Sequence, residues 1–145
     1  MDLKLPMDIG AIQKCIPHRY PFLLIDRVTH AVPHESITAL KNITIADPVL
    51  QGHFPGNPVL PGVYIVEAIA QATAVLGHLS YEHGLTQCLL TEVTAARFRR
   101  PVVPGDVLKI EAKVLKRRPP FFWFDAVCTV DGEPAAEVKL SAFIK

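Results

Sequence analysis

Cysteine is scarce in this chain of 145 residues. The three cysteines, Cys15, Cys88 and Cys128, are odd in number, widely spaced and placed in apolar runs. A disulfide framework needs paired cysteines in a small secreted domain, so this pattern argues against one and indicates core thiols. We therefore expect a protein of a reducing compartment.

An excess of charge of one sign is also lacking. The 15 basic and 14 acidic residues give a formal net charge of +1, and 50% of the residues are hydrophobic. A nucleic-acid-binding protein needs a basic excess to neutralise phosphates, so that class is disfavoured. The first residues lack the order of a secretory signal, and the expected location is the cytoplasm. The length predicts a single domain, 1–145, with its own core.

Long apolar runs are rare, and the one that could suggest a membrane span lies at residues 63–80. It contains Glu67, Gln71 and His78, and small residues make up much of the rest. A lone carboxylate at membrane depth costs about 2–3 kcal/mol or more. A helix buried on all sides within a globular protein explains the same composition at lower cost, so we reject the membrane span.

The most informative segment comes directly before this helix. Residues 51–62 read QGHFPGNPVLPG and place His53 among three prolines and three glycines. Proline fixes φ and lowers the conformational freedom of the loop, so we expect His53 to be held in one place. Glu67 is the one acid of the helix that follows. A fixed histidine and a carboxylate in apolar surroundings are the groups that acid–base catalysis uses near neutral pH.

The rest of the chain predicts mostly strands. Residues 8–16 predict a short amphipathic helix that begins at Asp8 and ends before Pro17. The clearest alternation of apolar and charged residues lies at 107–115. Asp131 and Gly132 predict a tight hairpin. The predicted strands span residues 22–29, 36–45, 87–94, 107–115, 121–130 and 136–144.

This order of elements predicts an α+β fold in which an antiparallel sheet packs against one helix. A helix of about 18 residues is roughly 27 Å long. Because it is apolar nearly all round, one flat sheet leaves part of it uncovered. We therefore expect a strongly curved sheet and a second subunit, which makes a homodimer.

Three motifs together resemble a known family. They are PHRYPFLLIDR at 17–27, HFPGNPVLPG at 53–62 followed by EAIAQ at 67–71, and RFRRPVVPGD at 97–106. In this order they are similar to the (3R)-hydroxyacyl-[acyl-carrier-protein] dehydratases of type II fatty acid synthesis, the FabZ type. The resemblance spans nearly the whole chain. It implies a hot-dog fold, with a curved antiparallel sheet around a long central helix, in a homodimer that often assembles into a trimer of dimers.

The resemblance also implies roles for individual residues. Such enzymes convert a 3-hydroxyacyl thioester on acyl carrier protein into the trans-2-enoyl thioester, without a metal or cofactor. His53 is then the base at C2, and Glu67 from the partner subunit is the acid that assists departure of the C3 hydroxyl. The related isomerising dehydratases carry aspartate in place of this glutamate, so dehydration without isomerisation is favoured. The Gly62 N–H is expected to donate to the thioester oxygen, because a helix N-terminus offers unpaired N–H groups. Gln71, one turn after the acid, is expected to orient it or a water, and Phe54 to contact substrate.

The other histidines are expected to have structural roles. They do not form a cluster of three ligands such as zinc requires. They are His18, His30, His34, His78 and His83.

Two basic clusters stand out in a nearly neutral chain. Acyl carrier proteins are acidic and carry a phosphopantetheine arm, so these clusters are candidates for carrier-protein docking. A charged sheet edge that discourages aggregation explains them equally well. They are Arg97, Arg99 and Arg100, and Lys116, Arg117 and Arg118.

Two segments depart from the family pattern. Residues 119–124 (PPFFWF) replace a more polar, glycine-containing passage, and residues 90–93 (LTEV) replace smaller residues. Both are expected to shape the acyl tunnel. A dehydratase of a specialised polyene or polyketide-like pathway, paired with a different hot-dog subunit, is therefore an alternative to fatty acid synthesis.

Two further alternatives are a hot-dog acyl thioesterase and a non-catalytic acyl-binding partner subunit. A thioesterase site normally lacks the combination of the His53 loop and a Glu67 fourteen positions later. The intact set of His53, Glu67 and Gly62 argues against a protein that only binds acyl chains.

Overall fold

One six-stranded antiparallel sheet and three helices make up the described part of the chain, residues 3–145 of a computed structural model. The order of strands across the sheet is β1-β2-β4-β5-β6-β3. In chain order the elements are α1 (Ile9–Gln13), β1 (Arg27–Val32), β2 (Ser36–Asn42), α2 (Pro48–Gly52), α3 (Gly62–Ser80), β3 (Cys88–Phe98), β4 (Val107–Arg118), β5 (Phe121–Val130) and β6 (Glu133–Ile144).

Alternation of side chains builds the face of the sheet that packs on α3. In β4, Leu108, Ile110 and Ala112 are buried, whereas the residues between them are exposed. Strand β5 alternates in the same way, and the prediction of a strand at 121–130 is confirmed. The turn between β5 and β6 has positive φ at Asp131 (51°) and Gly132 (80°), as a two-residue type I′ hairpin requires.

Helix α3 lies against this face, and the prediction of a long core helix at 63–80 is confirmed. Every residue from Gln71 to Gly77 is buried. A methyl group on Gly77 would lie 2.9 Å from Leu85 Cδ1, so glycine permits the close approach of the next segment. The helix is long and apolar enough to cross a membrane, but most of it is buried inside the fold. Its first turns are less well covered, and Val63 is 73% exposed.

The predicted strand at 22–29 is wrong for its first half, because β1 starts only at Arg27. Gln71 explains the difference. Its side chain accepts a hydrogen bond from Leu24 N (2.9 Å) and donates one to Phe22 O (2.7 Å). These backbone groups are thereby satisfied by a helix side chain instead of a neighbouring strand.

Other elements also differ from the predictions. Strand β2 ends at Asn42 instead of residue 45, β4 continues to Arg118 instead of residue 115, and β6 begins at Glu133 instead of residue 136. Helix α1 begins after Asp8, whose side chain accepts a hydrogen bond from Ala11 N, but it ends at Gln13 instead of residue 16. The short helix α2 was not predicted. Strand β3 is longer than the predicted 87–94 because it continues through the first basic cluster to Phe98.

Strand β3 is an edge strand that is exposed on both faces. It pairs only with β6, and every residue after Cys88 is exposed. Two register shifts interrupt the pairing. Sequence alternation is weak here because neither face of the strand is covered within the chain.

Candidate active site

The loop that carries His53 is fixed by backbone hydrogen bonds. Phe54 and Asn57 bond to each other through both N–H groups, each at 2.9 Å, which closes a tight turn. Gly56 has a φ of +75° within it, a conformation that favours glycine. Val59 N donates to His53 O at 2.9 Å, so both ends of the turn are joined. The loop is held as the proline pattern predicts.

The same loop determines which nitrogen of His53 can act. Nδ1 lies 2.6 Å from Val59 O, and a carbonyl oxygen only accepts hydrogen bonds. Nδ1 of the neutral ring therefore carries the proton and donates a hydrogen bond to Val59 O. Nε2 keeps a free lone pair, which is the state that a general base requires. The Phe54 ring stacks on His53 with centroids 3.9 Å apart, while half of Phe54 remains exposed.

Gly62 is the first residue of α3 and shares a groove with His53. The groove has a volume of about 420 Å³ and is also lined by Phe98, Arg99 and Arg100. A methyl group on Gly62 would lie 2.9 Å from the Phe98 ring, so only glycine fits here without a shift. The first N–H groups of a helix have no partner within it, so the helix start offers donors for an oxyanion next to His53.

Glu67 lies on α3 in a different cavity, of about 250 Å³. Its side chain is 24% exposed in the single chain. The nearest basic group is His18, whose Nε2 lies 3.8 Å from Glu67 Oε1. Cys88 lines the same cavity. Burial, and then the charge of Glu67, raise the pKa of the Cys88 thiol to about 11.

His53 and Glu67 therefore do not share a cavity within one chain. Gln71 lines the Glu67 cavity, but both of its hydrogen bonds go to the backbone of residues 22–24. Its predicted role in orienting Glu67 or a water stays a prediction. The sequence missed the contact between His18 and Glu67, because 49 residues separate them in the chain.

The two basic clusters are apart in the structure. In the sheet register Arg97 is level with Val127 of β5, whereas Arg117 is level with Phe122. Arg97 and Arg117 are therefore five residues apart along the strand direction and three strand spacings apart across the sheet. This corresponds to a separation of roughly 20 Å. Arg99 and Arg100 lie at the groove of His53, so the first cluster is the one close to the candidate base.

Several of these basic residues already have partners. Arg99 pairs with Glu137 at 2.8 Å, and Arg100 lies 3.6 Å from Asp106. Lys116 sits over the Trp123 ring at 4.9 Å. Arg117 donates to His34 Nδ1 at 2.7 Å. In residues 3–145, Arg97 and Arg118 form no ion pair.

Comparison with known proteins identifies the family of this chain. The FabA-like domain family matches residues 16–139. The chain belongs to the FabA-like family. A 3-hydroxyacyl-[acyl-carrier-protein] dehydratase FabZ from Myxococcus xanthus is 47% identical over 140 residues, which cover 95% of this chain and 92% of that protein. The FabZ of Caulobacter vibrioides strain NA1000 is 49% identical over 141 residues, covering 95% and 88%.

Solved structures show that this FabA-like chain has the hot-dog fold, as predicted. A chain of the dehydratase heterocomplex ApeI:P from Xenorhabdus doucetiae matches with a TM-score of 0.81 at 20% identity, covering 99% of this chain and 93% of that one. A mutant thioesterase from Pseudomonas aeruginosa matches with a TM-score of 0.70 at 19% identity, covering 95% and 94%. At these identities the likeness concerns the fold alone.

Proposed function

We propose that this chain is a hydro-lyase that dehydrates a (3R)-hydroxyacyl thioester on acyl carrier protein to the trans-2-enoyl thioester, in fatty acid biosynthesis. One observation carries the proposal at the level of chemistry. His53 has Nδ1 fixed on Val59 O and Nε2 free, in a groove that also contains the start of α3 at Gly62. The 47% and 49% identical relatives bear the name of this activity. A cytoplasmic location agrees with three free cysteines.

The proposed dehydration has two proton transfers, one to His53 and one from Glu67. His53 Nε2 takes the proton from C2, and the C2–H electrons form the new C2=C3 bond. The C3–O bond breaks, and the hydroxyl leaves as water with a proton from Glu67, directly or through a water. Negative charge that builds on the thioester oxygen is stabilised by the Gly62 N–H at the helix N-terminus.

The site is completed across two subunits in this proposal. Within one chain His53 and Glu67 line separate cavities, so the acid opposite His53 is Glu67 of the partner subunit. The uncovered edge strand β3 is where a second copy extends the sheet, because unpaired edge groups and exposed apolar residues favour pairing. Leu89, Leu90, Val93 and Phe98 of this strand are all more than 40% exposed. A trimer of dimers, or pairing with another hot-dog subunit, is compatible with the same edge.

A specialised polyene or polyketide-like substrate is the second candidate, and it rests on the cavity of Glu67. Leu89 and Leu90 line that cavity, and residues 90–93 are a segment that departs from the family pattern. Phe121, from the other divergent segment, packs on Phe143 at 5.8 Å, and Phe143 pairs with Leu89 across β6 and β3. Ala142 of β6 also lines this cavity and pairs with Leu90 on one side and Phe122 on the other, so the two divergent segments flank β6 there.

A substrate panel tests the function and separates these candidates. Purified protein is incubated with carrier-protein substrates that carry either a saturated 3-hydroxyacyl chain or a 3-hydroxyacyl chain with further conjugated double bonds (a 3-hydroxy-polyenoyl chain), and mass spectrometry records the products. Loss of one water from the saturated substrates supports fatty acid synthesis, and a preference for polyenoyl chains supports the specialised pathway. Thiol release without an enoyl product would identify a thioesterase. Binding without turnover would indicate the non-catalytic partner.

A further inference from the structure

His18 lies between α1 and β1 and faces Glu67. Its Nε2 is 3.8 Å from Glu67 Oε1, and both side chains are 24% exposed. Among residues 3–145 it is the one basic side chain within ion-pair distance of this acid. The two residues also line one cavity. The sequence alone gave His18 no functional role.

The position of His18 is fixed from both sides. Arg19 Nη1 donates to Ile16 O at 2.9 Å and to His18 O at 2.6 Å. These bonds fix the backbone of residues 16–18, which carries the His18 ring. The Phe22 ring stacks on His18 with centroids 6.2 Å apart. Gln71 in turn holds Phe22 O, and it lies one turn after Glu67 on α3. The helix that carries the acid therefore also positions the histidine opposite it.

The contact with Glu67 determines the tautomer of His18. Among residues 3–145, Nδ1 is buried without a hydrogen-bond partner, so it is unsatisfied with or without a proton. Nε2 faces the Glu67 carboxyl at 3.8 Å, and a carboxylate oxygen only accepts hydrogen bonds. The neutral ring therefore carries its proton on Nε2, the nitrogen nearest Glu67. This arrangement is opposite to that of His53, where Nδ1 carries the proton.

We propose that His18 is a positioning residue for Glu67: Nε2–H donates to one carboxylate oxygen and leaves the other for the hydroxyl of the substrate. The proposal rests on the proposed dehydration. A separation of 3.8 Å is longer than a hydrogen bond, and a small rotation of the Glu67 side chain closes it. The contact strengthens when Glu67 loses its proton, so it stabilises the transition state more than the ground state.

Within one chain, Cys88 on β3 faces the same cavity, and burial keeps its thiol protonated by raising its pKa to about 11. The other residues of the chain that line it, from α3, β3 and β6, are uncharged: Ala70, Gln71, Thr73, Ala74, Leu89, Leu90 and Ala142. In the proposed dimer the partner's His53 also faces Glu67. A change at His18 leaves all of these groups in place, so it reports on the contact between His18 and Glu67.

The experiment follows the Glu67 carboxyl by ¹³C NMR during a pH titration, with Glu67→Gln to assign the signal. His18→Phe keeps a ring against Phe22 and removes the donor. It should move the Glu67 midpoint upward by about half to one pH unit and lower kcat about tenfold with KM changed less than about twofold. His18→Gln, which restores an N–H donor, should recover much of both changes. The control His83→Phe, at an exposed position, should leave them unchanged.

Two results would overturn the proposal. One is an unchanged Glu67 midpoint in His18→Phe. The other is found in the unmodified protein by ¹⁵N NMR of labelled histidine: a proton on Nδ1 of His18 instead of Nε2. Neither measurement requires turnover. The ¹⁵N measurement also requires no variant, so it does not depend on whether a variant folds. A failed dehydration assay would instead contradict the proposed function, so the two failures are distinguishable.

Discussion

At the scale of single residues, the contacts of each histidine ring determine which of its nitrogens carries the proton. Val59 O fixes the proton of His53 on Nδ1, and the facing carboxylate of Glu67 favours the proton of His18 on Nε2. The two histidines of the same chain thereby suit the different tasks that we propose for them. His53 keeps a lone pair that would accept a proton from carbon, and His18 presents a donor that would bond to a carboxylate.

The Cys88 thiol reports the charge on Glu67. Its pKa is raised to about 11, first by burial and then by this carboxylate. The thiolate is the form that alkylating reagents attack, and at a pH below the pKa its fraction increases when the pKa is lowered. Glu67→Gln removes the carboxylate charge that raises this pKa, so it should speed alkylation of Cys88 at pH 9 by about two- to threefold. Iodoacetamide labelling followed by mass spectrometry measures the rate. Cys128, whose pKa burial raises to about 12, serves as the internal control and should not change. An unaltered Cys88 rate would show that the charge of Glu67 does not reach it.

At the scale of secondary structure, α3 organises the site. It begins at Gly62, whose close contact with Phe98 ties the helix start to the end of β3. Glu67 lies more than one turn further along the helix. Gln71 follows one turn later, and its side chain forms hydrogen bonds with the backbone of Phe22 and Leu24. Helix α3 therefore contributes to two separate cavities: its start lies beside His53, and the acid and the support for His18 lie further along it.

Sequence patterns predicted the elements whose environment is regular. The alternation in β4 and β5 and the Asp131-Gly132 turn match the structure, because a face packed against the core imposes a period of two. Residues 22–26 were wrongly predicted as a strand because they satisfy backbone groups with Gln71, a partner that only the tertiary fold supplies. The His53 loop was predicted from local prolines and glycines. The contact of His18 with Glu67 depends on packing across 49 residues and leaves no local pattern.

Removing the Gln71 amide should destabilise this arrangement. Gln71→Leu leaves Leu24 N and Phe22 O without partners next to the core, and each such group costs about 1–3 kcal/mol. We expect a loss of about 2–4 kcal/mol in the free energy of unfolding, measured by urea denaturation. Gln51→Leu removes a single exposed hydrogen bond to Ile45 O and should cost less than about 1 kcal/mol. Equal losses in the two variants would contradict the role given to Gln71.

At the scale of the whole molecule, the single chain is incomplete in two matching ways. The edge strand β3 is exposed on both faces, and among residues 3–145 no carboxylate lines the His53 groove. In the proposed dimer, a second copy that pairs along β3 would address both features, because it would cover the strand and supply Glu67 of the partner subunit. The basic cluster at Arg99 and Arg100 then lies at the mouth of the shared site.

Docking of the carrier protein is tested by reversing one charge at this mouth. Arg99→Glu should raise KM for the carrier-bound substrate about fivefold to tenfold at low salt, because it weakens attraction to an acidic partner. A short thioester analogue without the carrier should react normally. Arg117→Glu, roughly 20 Å away, should have the smaller effect. Equal loss on both substrates would rule out docking and favour a structural role for Arg99.

Complementation between two inactive variants tests the shared site most directly. His53→Ala and Glu67→Gln are each purified, mixed in equal amounts, dissociated and reassembled, and assayed for enoyl product. If each site takes His53 from one subunit and Glu67 from the other, half of the dimers are mixed and each contains one intact site. The mixture should then recover about a quarter of the activity of the unmodified protein. No recovery, although mass spectrometry shows mixed dimers, would contradict a site shared between subunits.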